Sequence, residues 1–262
     1  MSEARTPALQ ALSLGITFGG LHAVSDFNIE IYPGELVGLI GPNGAGKTTV
    51  FNLLTGVYVP TEGTVIINGV PLNGKKTHEF VAHGIARTFQ NIRLFGQMTV
   101  MENVKVACSG DIHYGLVDSL LRTKKFRETE EKLTEKALDL LKIFKLEDKA
   151  YIKASSLPYG EQRKLEIARA LATDMKVLLL DEPAAGMNPT ETAELLECIK
   201  VIRERFGIAI LLIEHDMSLV MNVCERIQVI NFGVTIASGK PEEIANNPEV
   251  IEAYLGKNEE ML

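Results

Sequence analysis

The stretch Gly41-Pro42-Asn43-Gly44-Ala45-Gly46-Lys47-Thr48-Thr49 constrains this chain more than any other. It fits the pattern G-x-x-x-x-G-K-[ST], a glycine loop running from a strand into a helix. The flanks agree with that context. Residues 35–40 form a short apolar run, read as a strand entering the loop. Residues 48–55 read as a helix leaving it, with Gly56 as its C-terminal stop. The competing reading is a plain glycine turn between core elements.

The residue types follow from the chemistry of phosphate binding. Glycines let successive backbone N–H groups converge on phosphate oxygens without Cβ clashes. The helix N-terminus adds partial positive charge at the same point. In such a loop the lysine, here Lys47, reaches the β and γ phosphates, and the hydroxyl of Thr48 ligates Mg²⁺. The expected ligand is a nucleoside triphosphate with magnesium, held by Gly41, Pro42, Asn43, Gly44, Ala45, Gly46, Lys47, Thr48 and Thr49. The loop specifies neither the base nor the use made of the energy.

At 262 residues the chain is long enough for one large domain or two small ones. Its net charge of −7 disfavours nucleic acid as a partner. Cys108, Cys198 and Cys224 are widely spaced and form no C-x-x-C pair, so free thiols in a reducing cytosol are expected. No apolar run approaches the length of a membrane span, and the first six residues hold no apolar signal core. Any membrane role is expected to come through a partner.

Strand signals with tight turns, such as Asn68-Gly69, occupy residues 12 to 90. They disappear between 92 and 170, where Leu133, Ala137, Leu140, Leu141 and Phe144 fall at helical spacing. From Lys176 onward strands alternate with helices, the pattern of a parallel sheet. The expectation is an α/β core interrupted by a helical insert. Four apolar runs end in a polar residue: residues 35–40 at the loop, 85–89 at Gln90, 177–180 at Asp181-Glu182, and 209–213 at Glu214-His215. Ligands bind beyond the carboxyl ends of strands in an open parallel sheet, so these residues are candidates for one phosphate site.

Within that set, Asp181 suits the magnesium shell and Glu182 is the candidate general base. His215 is either a capping residue or a contact to the γ-phosphate that positions water. Gln90 is either a surface glutamine or a ligand of Mg²⁺ that senses the γ-phosphate. Phe18 either stacks an adenine ring or fills the core. Leu157-Pro158-Tyr159-Gly160-Glu161-Gln162 precedes a helical run and presents Gly160 with free N–H groups, a second potential anion site or a simple glycine turn.

Together these motifs resemble the ATP-binding subunits of ABC transporters over nearly the whole chain. Residues 41–49 resemble their Walker A motif, Gln90 the Q-loop, 157–162 the signature motif, 177–182 Walker B, His215 the switch histidine and Phe18 the aromatic A-loop position. Residues 84–95, 181–189, 213–217 and the tail at 246–256 look most like the branched-chain amino acid importer ATPases. The resemblance implies a single ATPase domain over 8–262. Its fold would be α/β: a P-loop NTPase core with a RecA-like mixed sheet and an antiparallel β subdomain at 8–91 and 171–262, interrupted by a helical signature subdomain at 92–170. It implies ATP and Mg²⁺ as ligands, with Glu182, His215, Lys47 and Gln90 catalytic and Thr48, Gln90 and Asp181 at the metal. Gly160 would contact ATP held by a second ATPase subunit, of the same or a different chain. The other implied partners are transmembrane permease subunits and, indirectly, a solute-binding protein. No nucleic acid is expected. The implied location is peripheral, on the cytoplasmic face of the inner (plasma) membrane.

Two residues depart from the family pattern. Pro158 stands where the signature motif usually has serine, which removes a hydroxyl and an N–H. Asn188 stands where the D-loop commonly has aspartate. Leu94, Phe95 and Met98 are candidates for the permease docking surface, or for packing within the helical subdomain. The rival functions are a soluble switch acting on nucleic acid or ribosomes, and an exporter or lipid-transport ATPase. The insert lacks the sustained heptads of the former.

Overall fold

A computed structural model describes residues 6–112 and 114–255. The chain begins with strands β1 (Leu9–Phe18), β2 (Leu21–Ile31) and β3 (Leu36–Ile40), followed by helix α1 (Lys47–Leu54), β4 (Glu62–Ile67), β5 (Val70–Pro71), α2 (Thr77–Ala82) and β6 (Ile85–Arg87). Helices α3 (Val100–Ala107), α4 (Leu116–Leu121), α5 (Lys124–Ile143) and α6 (Tyr159–Leu171) come next. The chain then runs through β7 (Val177–Asp181), α7 (Pro189–Phe206), β8 (Ala209–Ile213), α8 (Met217–Val223), β9 (Arg226–Asn231), β10 (Val234–Gly239), α9 (Pro241–Ala245) and α10 (Pro248–Leu255). No helix among the described residues is long and apolar enough to cross a membrane.

Two compact units result. The first takes residues up to Arg87, Lys176–Pro183 and residues from Arg203 on; the second takes Thr88–Met175 and Ala184–Ile202.

The first unit holds both sheets. One is antiparallel, with order β2-β1-β4-β5. Its β4–β5 hairpin turns at Asn68-Gly69, where φ is 50° and 79°. Both turn residues therefore adopt the left-handed conformation that a two-residue hairpin loop demands. The other sheet has order β10-β9-β3-β8-β7-β6, and all its pairings are parallel except β10 with β9. Every residue of β3, β7 and β8 is buried. That is why their sequences are apolar on both faces instead of alternating. Registration of Leu39 and Asp181 with Ile213 brings the ends of β3, β7 and β8 to one edge of the sheet.

The second unit is helical. Thr99 caps α3 in a reciprocal box: its hydroxyl accepts from the Glu102 N–H (3.1 Å), and the Glu102 carboxylate accepts from the Thr99 N–H (2.7 Å). In α5 the buried residues are Leu133, Ala137, Leu140 and Leu141, the stripe the spacing predicts. In α6 the buried residues include Leu165, Ala168 and Leu171 and also the charged Arg163, Lys164 and Glu166.

Two boundaries differ from the sequence reading. Strand β6 ends at Arg87, not at Phe89. The Phe89 carbonyl instead accepts a hydrogen bond from the Arg163 guanidinium at 2.6 Å, within the second unit. Residues 184–202, read as part of the α/β core, also join the helical unit. There Lys164 pairs with Glu194 at 2.5 Å, and Cys198 lies 3.6 Å from the Ile143 carbonyl. Cys108, Cys198 and Cys224 are buried. Burial pushes the Cys224 thiol up to about 12, which leaves it protonated and unreactive at neutral pH.

Candidate active site

The glycine loop connects β3 to α1. A side chain at Gly41 would put its Cβ 2.1 Å from the Ile230 carbonyl oxygen, so only glycine lets the loop lie against β9. Gly44 and Gly46 have φ of 79° and 103°, and Gly46 is the residue from which α1 starts. The first turn of α1 carries no acidic side chain, which leaves the positive end of the helix available to an anion. Asn43, Gly44, Ala45, Gly46, Lys47, Thr48 and Thr49 line a cavity of about 310 Å³, together with Glu182 and His215. Gly41 and Pro42 are not among its lining residues. Their carbonyls accept from the Lys47 ammonium at 2.7 and 3.0 Å. Lys47 is buried. Burial pulls its pKa below the ordinary lysine value, against the opposing pull of Glu182 and Asp181.

Both carboxylates come from the end of β7. Asp181 is its last residue and is buried. The Arg87 guanidinium, one strand over at the end of β6, donates to it at 2.7 Å. Arg87 also donates to the Asn52 side chain at 2.7 Å and lies over the Phe51 ring, tying the carboxylate to α1. Sequence reasoning missed Arg87, although its place near the end of an apolar run is the same signal that singled out Asp181. Glu182 has φ 48°, a left-handed conformation that costs a non-glycine residue about 1–3 kcal/mol and persists where the surroundings enforce it. Here the Glu182 N–H donates to the Ile213 carbonyl at 2.9 Å, and Glu182 Oε1 lies 2.6 Å from His215 Nε2. The turn thus separates two adjacent carboxylates: Asp181 faces Arg87, and Glu182 faces the cavity with His215.

Phe18, at the end of β1, is 44% exposed, which removes the core-packing alternative. Tyr58 braces its ring edge-on at 5.3 Å. Near the chain end, burial raises the Tyr254 phenol, while a hydrogen bond from the Gly41 backbone acts in the opposite sense. Sequence reasoning did not anticipate this contact of α10 with the loop.

Gln90 and Gly160 belong to the second unit. The Gln90 carbonyl accepts from Arg163 Nη2 at 2.6 Å. Arg163 is wholly buried and also donates to Phe89 O and to Glu166 Oε2 (2.9 Å). It therefore fastens the segment around Gln90 to the signature helix α6. Pro158 is the N-cap of α6 and gives it no side-chain cap. Gly160 lies in the first turn, where a Cβ would stand 2.9 Å from Glu191 Oε1. Asn188 accepts from the Glu191 N–H at 3.0 Å, and the Glu191 carboxylate accepts from the Asn188 N–H at the same distance. Asparagine thus serves α7 as well as aspartate would, since both are good N-caps. Of the three docking candidates Leu94 and Met98 are half-buried, while Phe95 is 51% exposed with Arg169 over its ring.

Comparison with known proteins agrees with this geometry. Residues 24–185 match the ABC transporter family, and residues 234–260 match the branched-chain amino acid ATP-binding cassette transporter family. The chain is 50% identical over 251 residues to the high-affinity branched-chain amino acid transport ATP-binding protein LivG of Escherichia coli K12, covering 96% of this chain and 98% of LivG. It is 45% identical to the corresponding protein BraF of Pseudomonas aeruginosa, again over 96% and 98% of the two chains. Among solved structures it resembles the ADP conformation of an ATP-binding cassette of an ABC transporter. The TM-score is 0.82 and the identity 31%, over 96% of this chain and all of the other.

Proposed function

We propose that this chain, which belongs to the family of ABC transporter ATP-binding proteins, powers the import of branched-chain amino acids. It is an ATP-hydrolysing subunit of a membrane transport complex. The import reading is supported by the names of its half-identical relatives and by the matched C-terminal segment. One observation carries the hydrolytic reading: Glu182 is held 2.6 Å from His215 on the wall of the glycine-loop cavity.

In this reading the backbone N–H groups of residues 43–49 receive the phosphates. The Lys47 ammonium turns from the carbonyls of Gly41 and Pro42 toward the β and γ phosphates. Glu182 takes a proton from the attacking water, the β–γ bridging bond breaks, and ADP and phosphate result. His215 orients Glu182 and touches the γ-phosphate. Phe18 stacks the adenine ring. No cluster of three or more His, Cys, Asp or Glu suited to a metal occurs among the described residues. A hydroxyl and one carboxylate instead suit magnesium that arrives with phosphates and keeps its waters. Thr48 would hold the ion and Asp181, fixed by Arg87, would order its shell. Bound magnesium neutralises charge on the leaving phosphates. Gln90 as a further ligand and Gly160 as a contact to a partner subunit's ATP rest on the family resemblance alone.

The two units act in this reading as one cassette over residues 8–262. It pairs with a second ATPase subunit, identical or different, on the cytoplasmic face of the inner membrane. Permease subunits and a solute-binding protein complete the system, and no nucleic acid takes part. The test is to isolate the chain from detergent-solubilised membranes and reconstitute what accompanies it. Hydrophobic permease subunits and ATP-dependent uptake of leucine, isoleucine or valine are expected. Ribosomes or nucleic acid in their place would overturn the proposal.

A further inference from the structure

Helix α4 is built differently from every other helix of the second unit. None of its six residues is buried. Leu116, Val117, Leu120 and Leu121 are 90, 68, 83 and 69% exposed. At spacing i, i+1, i+4, i+5 they share one helix face. Contiguous exposed aliphatic surface of this kind marks an interaction site. The sole acid of α4, Asp118, is turned to structural use, accepting from the Gly115 N–H (3.2 Å) and the Thr123 hydroxyl (2.9 Å).

The sequence right after the stripe decides what it meets. Arg122, Lys124, Lys125 and Arg127 place four exposed cations within six residues, in a chain whose net charge is −7. Arg122 has φ 47° and ends α4 in the left-handed conformation, two residues before α5 begins. At the base of the α4–α5 hairpin the Tyr114 and Phe126 rings meet edge-on at 4.9 Å, and the Tyr114 hydroxyl donates to Glu130 at 2.7 Å. The base is thus tied to α5, while the tip presents leucines and then cations. Protein interfaces are depleted in lysine and enriched in aromatic residues; the stripe is wholly aliphatic and bordered by two lysines. An apolar helix face flanked by Lys and Arg suits the headgroup layer of an anionic bilayer instead.

We propose that the α4–α5 hairpin tip is a membrane-surface contact. The four aliphatic side chains enter the acyl boundary, and Arg122, Lys124, Lys125 and Arg127 pair with anionic phospholipid headgroups. The contact is additional to any permease interface and does not depend on which solute is carried.

Flotation of the full chain with vesicles tests it. Binding to vesicles of equal parts phosphatidylglycerol and phosphatidylcholine should exceed binding to phosphatidylcholine alone by about tenfold or more, and should fall as salt rises. Leu120→Ser with Leu121→Ser should reduce binding by at least about tenfold, since both lose their buried apolar area. Lys124→Gln with Lys125→Gln should reduce it by roughly tenfold and remove most of the lipid selectivity. ATPase turnover of both variants, whose changes lie outside the active site, should match the parent and verifies folding. Vesicle binding that is absent, or indifferent to both variants, would overturn the proposal. So would variants that leave vesicle binding intact but lose co-purifying membrane proteins, which would make the stripe a protein interface.

Discussion

Replacing Arg163 with methionine removes the most heavily bonded buried charge of the helical unit. Methionine retains much of the apolar stem but none of the donors. Four hydrogen bonds end: to the Phe89 and Gln90 carbonyls, to Glu166 and to the Tyr159 hydroxyl. Glu166, 2% exposed, keeps the longer bond from the Arg93 N–H at 3.3 Å. Breaking a buried pair by removing one partner costs about 3–5 kcal/mol, because the surviving charge stays buried. That is a large part of a typical domain's 5–15 kcal/mol. The chain has no tryptophan, so urea unfolding is best followed by far-UV circular dichroism. Removing Glu166 as well should restore part of the loss, because an uncharged pair leaves no stranded carboxylate; the bonds to the two carbonyls stay lost, so recovery is incomplete. A single variant within about 1 kcal/mol of the parent, or a double variant no better than the single, would refute the reasoning.

The remaining expectations concern the nucleotide. Gly41→Ala should abolish nucleotide binding measured by calorimetry, because a Cβ 2.1 Å from the Ile230 carbonyl forces the loop off β9; unchanged affinity would mean the loop moves freely. Phe18→Ala should weaken adenine nucleotide binding by about 0.5–1.5 kcal/mol, and no change would remove Phe18 from the site. Pro158→Ser supplies α6 with an N-cap hydroxyl, worth about 1 kcal/mol, and with a donor toward a partner's γ-phosphate. ATP-driven dimerisation seen by sedimentation should strengthen; unchanged dimerisation and turnover would remove Pro158 as a brake on closure.

What could be read from the sequence was local. Strand, glycine loop and helix adjoin along the chain, so residues 41–49 could be read as a phosphate-loop pattern before any tertiary information. Asp181, Glu182 and His215 were legible because a run of apolar residues announces a buried strand and its end. The order β10-β9-β3-β8-β7-β6 was not legible, since hydrophobicity alone gives β3, β7 and β8 the same character. The burial of Arg163 and Glu166 had no signal in the sequence, because charges on an amphipathic helix ordinarily face water. The Arg163 partners Phe89 and Gln90 lie more than seventy residues away, beyond any local window. The end of β6 was overrun for the same reason: Thr88 and Phe89 look like strand residues, but the Phe89 carbonyl bonds to α6. Phe18 was ambiguous until its exposure beside Tyr58 became visible. The strain at Glu182 had no signal in the sequence, because glutamate is not a residue associated with a positive φ.

Turnover in the proposed mechanism rests on Glu182 as the base. Glu182→Gln keeps the size of the side chain and a hydrogen-bond acceptor for His215, but cannot take a proton from water at neutral pH. ATP affinity and steady-state hydrolysis, measured on the same preparation, test this directly. ATP binding should stay close to that of the parent while turnover falls by about 10²–10⁴-fold. Near-normal turnover with intact binding would contradict the account, and the proton would have to leave by another route.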